Sequence, residues 1–497
     1  MGRRKIPQHV DAPSLELSEA EMRDLLQRAG EAVIKHVASL SSQPVHGVKG
    51  GPKIAKSLKD TLPERGTPVE RLLRTLFGKA IPQTLNTASP GYLAYVPGGG
   101  LFPAAIGDLI ALATNRYTAL WLCAPVMVQL EQNVLEWLCR LTGLPEGAGG
   151  LLTSGGSMAN LIALVTARRD RLPPEFQKGV VYASDQVHHS VVKAALFGGI
   201  LPERVRSLPT DAMFRLDIEA LREAVDKDVR DGLSPFMIVA SAGTTNTGAI
   251  DDLPQIAAFA RERGLWLHVD GAYGGFFALT ERGRRALAGL GEADSITLDP
   301  HKGLFLPYGT GCLLVRDPAT LRRAHSVPAS YMPPMQEEED RVDYCEMGPE
   351  LSREARGLRV WLPLRMFGVS AFRAALDEKL DLAARAREGL SRIPEIEIVS
   401  PPELSLFAFR YRPAGDTDEG NLERLNRTLL QLVNERQRVF LSGARTKGIF
   451  FARVCVLCFR THEDRIDALI EDVAAALGDL RRREAARLPP SDRHSPT

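Results

Sequence analysis

Residues 265–303 read LWLHVDGAYGGFFALTERGRRALAGLGEADSITLDPHKG. Two short apolar runs, 265–270 and 295–298, flank a longer stretch of helical character. Runs of that length without polar alternation suit parallel strands covered on both faces. Each run ends on chemistry: Asp270 closes the first, and Asp299-Pro300-His301-Lys302-Gly303 follows the second. Ligands of open α/β sheets bind just outside the carboxyl ends of the strands. The segment therefore predicts a strand–helix–strand unit with an acid and a lysine at one rim.

Similar runs at 179–183, 236–240 and 311–315 alternate with helical stretches from Gly149 onward, which predicts an α/β core with a mainly parallel sheet. On the N-terminal side, 15–40 has Leu15, Leu17, Met22, Leu25, Leu26, Val33 and Ile34 at helical spacing. A Gly/Pro/Lys-rich connector follows over 43–53. Residues 93–143 are apolar and partly helical, with Trp121 and Trp137. After Ala371 come helical patterns, strand-like runs at 406–411 and 450–459, and a final helix near 464–477. The expected division is an N-terminal helical segment (1–90), a large α/β domain (91–370), a small α+β domain (371–480) and a disordered tail (481–497). The tail, RRREAARLPPSDRHSPT, has no apolar face.

Bulk properties narrow the class of partner. The 497 residues are 44% hydrophobic and 25% charged, as in ordinary globular proteins. Lys+Arg (62) balances Asp+Glu (61), so no basic field favours nucleic acid or an anionic membrane. No apolar stretch follows the basic start MGRRKIPQ, and no run is long enough to span a bilayer. The reading is a cytoplasmic protein acting on a small molecule. Of six cysteines, Cys455 and Cys458 form a CxxC inside an apolar run, with no second pair to complete a metal site. They read as buried strand thiols, and no metal is expected.

Lys302 at the end of a buried strand has two readings. It snorkels to the surface, or desolvation lowers its pKa and makes it a Schiff-base nucleophile. Asp270 is likewise either a helix cap or a functional acid. Three further loops favour the functional readings. Thr153-Ser154-Gly155-Gly156-Ser157 precedes an apolar helix, whose N-terminus suits a phosphate, although a plain Gly-rich turn explains it as well. Ser184-Asp185-Gln186-Val187-His188-His189-Ser190 and Ser241-Ala242-Gly243-Thr244-Thr245 each follow a strand. Glycines, imidazole, threonines, acid and lysine thus succeed one another at strand ends. The pattern is neither a Walker loop nor a GxGxxG fingerprint.

These residues closely resemble the group II pyridoxal 5′-phosphate (PLP) decarboxylases, the family of aromatic-L-amino-acid, histidine and glutamate decarboxylases. The resemblance spans about residues 85 to 465, with HVDGAYGG and DPHK as its most specific motifs. It implies PLP fold type I, the aspartate-aminotransferase-like fold with a seven-stranded-type sheet, and a homodimer with active sites at the subunit interface. It implies that Lys302 carries the cofactor and that Asp270 pairs with the pyridine nitrogen. His188 would stack on the ring opposite Ala272, with Thr245 beside it. Gly155, Gly156, Ser157 and His301 complete the implied cofactor set. Two departures stand out: Asp299 replaces an Asn, and Gly303 replaces a common Trp.

In this family a tyrosine on a mobile loop returns the proton to Cα, and Tyr331 in Val327-Pro328-Ala329-Ser330-Tyr331 matches it. Members with Phe there resemble aldehyde synthases, so Tyr331 favours simple α-decarboxylation of an L-amino acid. The expected substrate strip includes Tyr92, Tyr95 and Gly98, the last replacing a Thr of the catechol-binding enzymes. Across the dimer interface, Arg116, Tyr117 and Trp121 are further pocket candidates. The aromatics favour a bulky or aromatic substrate, whereas Arg116 suits the carboxylate of an acidic one. Arg353 and Arg356 read as fold or cofactor residues. Other readings are a carbon–carbon lyase, an aldehyde synthase, an aminotransferase using Arg453 or Arg460, and a PLP-binding protein without turnover.

Overall fold

The computed structural model describes residues 15–47, 50–327 and 341–487. They divide into two compact units, one running to Asn86 and one from Thr87 onward. Tyr331 lies outside the described residues, as do 488–497 of the expected tail.

In the first unit, helix Glu19–Ala38 begins at a capping box: Ser18 Oγ accepts from the Glu21 N–H, and the Glu21 carboxylate accepts from Ser18. Within the described residues this helix buries no side chain, so Leu25, Leu26 and Ile34 are exposed.

The second unit is built on a seven-stranded sheet. Its strands are β1 (Gly149–Thr153), β2 (Gly179–Ser184), β3 (Val205–Leu208), β4 (Ser234–Ser241), β5 (Trp266–Asp270), β6 (Ser295–Leu298) and β7 (Gly311–Val315). The order is β1-β7-β6-β5-β4-β2-β3, and only β7 runs antiparallel to its neighbours. Every residue of β2, β5, β6 and β7 is buried, which accounts for their unbroken apolar character. Side chains such as Ile238, Val269, Ile296 and Leu313 form the main core with the flanking helices.

A second, antiparallel sheet is formed by β8 (Ile396–Ser400), β9 (Leu406–Tyr411), β10 (Ser442–Thr446) and β11 (Ile449–Cys455), in the order β10-β11-β9-β8. Helices Glu419–Glu435 and Glu463–Arg487 cover it through a separate apolar cluster including Phe407, Leu429, Val454 and Val473. The strand expected over 450–459 ends at Cys455, since Val456, Leu457 and Cys458 leave the ladder while staying buried. The final helix runs to Arg487, beyond the predicted end near 477. Leu480 is buried in that cluster, and ion pairs Arg424–Glu484 (2.6 Å) and Arg436–Asp479 (2.5 Å) hold the polar residues around it.

Candidate active site

Five loops meet at the carboxyl ends of β1, β2, β4, β5 and β6 around a cavity of about 280 Å³. The β1 loop contributes Gly155, Gly156 and Ser157 at the N-terminus of helix Gly156–Arg171. The first N–H groups of a helix lack partners within it, and its dipole is positive at that end. A Cβ at residue 156 would stand 3.0 Å from Asp299 Oδ2, so glycine keeps this approach open. From β2 comes His188, from β4 Thr244 and Thr245, from β5 Asp270 and Ala272, and from β6 Asp299, His301 and Lys302.

The charges are arranged in two ways. Asp270 Oδ1 accepts from the Ala272 N–H at 3.1 Å, and Oδ2 accepts from the Asn160 amide at 3.0 Å. Both partners are neutral. Asp299 instead lies 2.9 Å from Lys302 Nζ, and its Oδ1 is buried without a hydrogen-bond partner. Burial draws the Lys302 amine down, but Asp299, with Asp270 behind it, outweighs burial and holds the pKa above the usual lysine range. The expected lowering by desolvation is therefore not what this amine experiences, because the adjacent carboxylate reverses the sign. Burial lowers the pKa of both His188 and His301. His301 Nδ1 donates to the Thr310 carbonyl at 2.7 Å.

A family model described as the pyridoxal-dependent decarboxylase conserved domain matches residues 52–412. The chain belongs to this family. It is 34% identical over 469 residues to an aromatic-L-amino-acid decarboxylase of Bacillus atrophaeus, covering 93% of this chain and 98% of the relative. Its fold is similar to that of Oryza sativa TDC crystallised with PLP and tryptamine (TM-score 0.90, 26% identity, 94% of this chain and 100% of that one). It is also similar to Rhodiola rosea 4-hydroxyphenylacetaldehyde synthase (TM-score 0.86, 27% identity, 93% and 99%). Membership makes the chain a PLP-dependent carboxy-lyase acting on an amino acid.

The residues present fit that cofactor. An amine, a helix N-terminus with a hydroxyl beside it, and a carboxylate held by neutral donors surround one cavity. Lys302 would hold PLP covalently, Gly156 and Ser157 its phosphate, and Asp270 its pyridine nitrogen.

The predicted cofactor residues Gly155, Gly156, Ser157, His188, Thr245, Asp270, Ala272, His301 and Lys302 all line this cavity. The predicted substrate residues Tyr92, Tyr95, Gly98, Arg116, Tyr117 and Trp121 do not. Tyr92 is buried and stacks on Phe440, Tyr117 Oη donates to the Leu351 carbonyl at 2.6 Å, and Arg116 and Tyr95 are exposed. Gly98 packs against the backbone: a Cβ there would fall 2.3 Å from the His301 carbonyl oxygen. Arg353 is consumed by a buried bidentate pair with Glu131, and Arg356 by Glu350 and Glu354.

Asn160 and Ser190 also line the cavity, although sequence reasoning assigned them no role. The available signal was a polar Asn one turn into an otherwise apolar helix, where it needs a buried partner.

Proposed function

We propose that this chain removes the α-carboxylate of an aromatic L-amino acid, releasing CO₂ and the matching amine. The observation behind this is the Lys302–Asp270 cavity, in a chain whose relative over 93% of its length is an aromatic-L-amino-acid decarboxylase. When bound, PLP supplies the electron sink. Lys302 would anchor it, Asp270 would keep a proton on the pyridine nitrogen, and His188 and Ala272 would contact the ring. Tyr331 is assigned from the sequence resemblance as the group whose Oη delivers a proton to Cα.

Arg453 argues against the aminotransferase alternative. It donates to the carbonyls of Thr245, Asn246 and Tyr95 and to Ser442 Oγ, leaving no donor pair for a substrate carboxylate. Arg460 donates to the Gly99 carbonyl and covers the Phe459 ring at 4.2 Å.

The protein acts as a homodimer in this reading. Its support is that Leu109, Ile110, Leu112, Leu122 and Val126 are exposed on the second unit, apolar side chains that a partner subunit would cover. Six free thiols, and no described helix long and apolar enough to cross a membrane, support a cytoplasmic setting.

The test is the visible spectrum of purified protein with PLP, followed by CO₂ release over a panel of L-amino acids. Yellow colour lost in Lys302→Ala, with amine formed from tryptophan, tyrosine or phenylalanine, supports the assignment. Activity confined to glutamate or aspartate would sink the aromatic reading, and aldehyde as the product would sink simple decarboxylation.

A further inference from the structure

The side chains facing the cavity are held from behind by a polar chain that the proposed reaction does not use. Trp266 Nε1 lies 2.8 Å from Ser295 Oγ, which lies 2.8 Å from His268 Nδ1. His268 Nε2 is 3.0 Å from Asn160 Oδ1, and Thr297 Oγ1 is 2.6 Å from the same oxygen. Asn160 Nδ2 is 3.0 Å from both Asp270 Oδ2 and Ser190 Oγ, and Ser190 Oγ is 2.7 Å from His188 Nδ1. Every member before His188 is buried.

The polarity of this chain is set at fixed points. An indole N–H only donates, and an ionised carboxylate only accepts. The Asp270 carboxylate requires the amide nitrogen of Asn160 on its side, which turns the Asn160 oxygen toward His268 Nε2 and Thr297 Oγ1. Facing an acceptor, Nε2 carries the His268 proton, and Nδ1 is left to accept from Ser295 Oγ, which itself accepts from Trp266. Ser190 accepts from that nitrogen and passes its proton to His188 Nδ1, where the Ser190 backbone N–H also points at 3.3 Å. Two donors aimed at one ring nitrogen leave no place for a proton on it. Burial keeps both rings neutral, with His268 drawn down to about 4.

We propose that Asn160 is a positioning residue which, through Ser190, fixes His188 as the tautomer with its proton on Nε2. The amide that orients Asp270 thereby also sets what His188 offers. An incoming substrate carboxylate meets an N–H donor at the remaining ring nitrogen, rather than a lone pair that would repel it. The consequence for substrate rests on the active-site reading above; the tautomer itself does not.

The experiment is ¹⁵N NMR of the PLP-loaded enzyme labelled at histidine, with the His188 signals identified by their loss in His188→Gln. Nitrogen shifts distinguish a protonated from a bare ring nitrogen, and the expected wild-type state is bare Nδ1 and protonated Nε2. Asn160→Asp reverses the donor that faces Ser190. Ser190→Ala removes only the hydroxyl, and it serves where Asn160→Asp does not fold. In either variant the Nδ1–H form should rise roughly five-fold, the equivalent of one hydrogen bond of about 1 kcal/mol, with kcat/KM falling in step. Ser190→Thr, which keeps the hydroxyl, should restore the wild-type spectrum. A wild-type ring protonated on Nδ1, or unchanged ring shifts in the folded variants, overturns the relay. The active-site reading fails differently: Lys302→Ala would still turn yellow with PLP, or His188→Gln would keep wild-type kcat/KM.

Discussion

The family resemblance invites Gly98→Thr, which would install the threonine of the catechol-binding enzymes; we expect it to damage the site rather than widen its substrate range. A Cβ at residue 98 would stand 2.3 Å from the His301 oxygen and 3.5 Å from the Leu306 oxygen, whereas ordinary contact starts near 3.4 Å. About 1 Å must therefore open, and the obstructing atoms are backbone, which cannot swing aside. The neighbouring chain is pinned too, since the Leu101 N–H donates to the Phe305 carbonyl at 2.8 Å. Relief has to move the turn that bears Lys302. A misplacement of about 1 Å costs on the order of 10²-fold in turnover, and overpacking costs about 1–3 kcal/mol of stability. Gly98→Ala isolates the first methyl group; Thr should be worse. The assay is kcat/KM for CO₂ release beside the thermal midpoint. A Gly98→Ala enzyme with wild-type turnover and midpoint would refute the steric argument, as would a Gly98→Thr enzyme that gains catechol substrates undamaged.

Three other perturbations follow from the charges. Asp299→Asn removes the carboxylate that holds Lys302 as an ammonium, so the free amine needed for Schiff-base formation appears at lower pH. The rate of PLP uptake, followed by absorbance against pH, should shift to lower pH; an unmoved profile would mean that the pair does not control the lysine. Glu131→Gln strands Arg353, whose partnered guanidinium and carboxylate are each 1% exposed, and should cost about 3–5 kcal/mol in urea unfolding. The His268 pKa is depressed from 6.5 to about 4 in the fold, so the unfolded chain takes up a proton that the folded chain refuses. Stability is full above pH 6.5 and declines toward pH 4, by on the order of 3 kcal/mol from this ring. His268→Asn should flatten that part of the pH dependence of the urea midpoint.

The rim of the cavity was legible because its residues sit at the ends of apolar runs, where position in the chain and position in the sheet coincide. Asp270 and Lys302 need no knowledge of distant contacts to be noticed. Strands without that signature were not legible. β3 reads VRSL with only one buried residue, and β10 reads SGART with its middle residues outside the core. Their pairing depends on neighbours already in place. Asn160 shows the same limit in a functional residue. Its partners Asp270 and His268 are 110 and 108 residues away, and no local pattern reports such a contact. The aromatic strip fared differently again. Its residues were visible, but Gly98 answers to a carbonyl oxygen and Tyr92 to Phe440, contacts that depend on backbone path rather than on residue type.

Asp270 and Asp299 illustrate why residue type and strand position do not by themselves fix a role. Asp270 closes the buried strand β5 and Asp299 follows its neighbour β6, and both line the same cavity. Asp270 is held by an amide and a backbone N–H, neutral donors that orient the carboxylate without cancelling its charge. That charge can then act on a protonated pyridine nitrogen. Asp299 has Lys302 at 2.9 Å from one oxygen, while the other makes no hydrogen bond and lies 3.7 Å from His301 Nδ1, so its charge acts chiefly on the lysine. An amide at 270 would remove the counter-charge of the cofactor ring, whereas an amide at 299 would change when the lysine gives up its proton. The two substitutions should therefore separate experimentally: Asp270→Asn in turnover, and Asp299→Asn in the pH at which the cofactor is taken up.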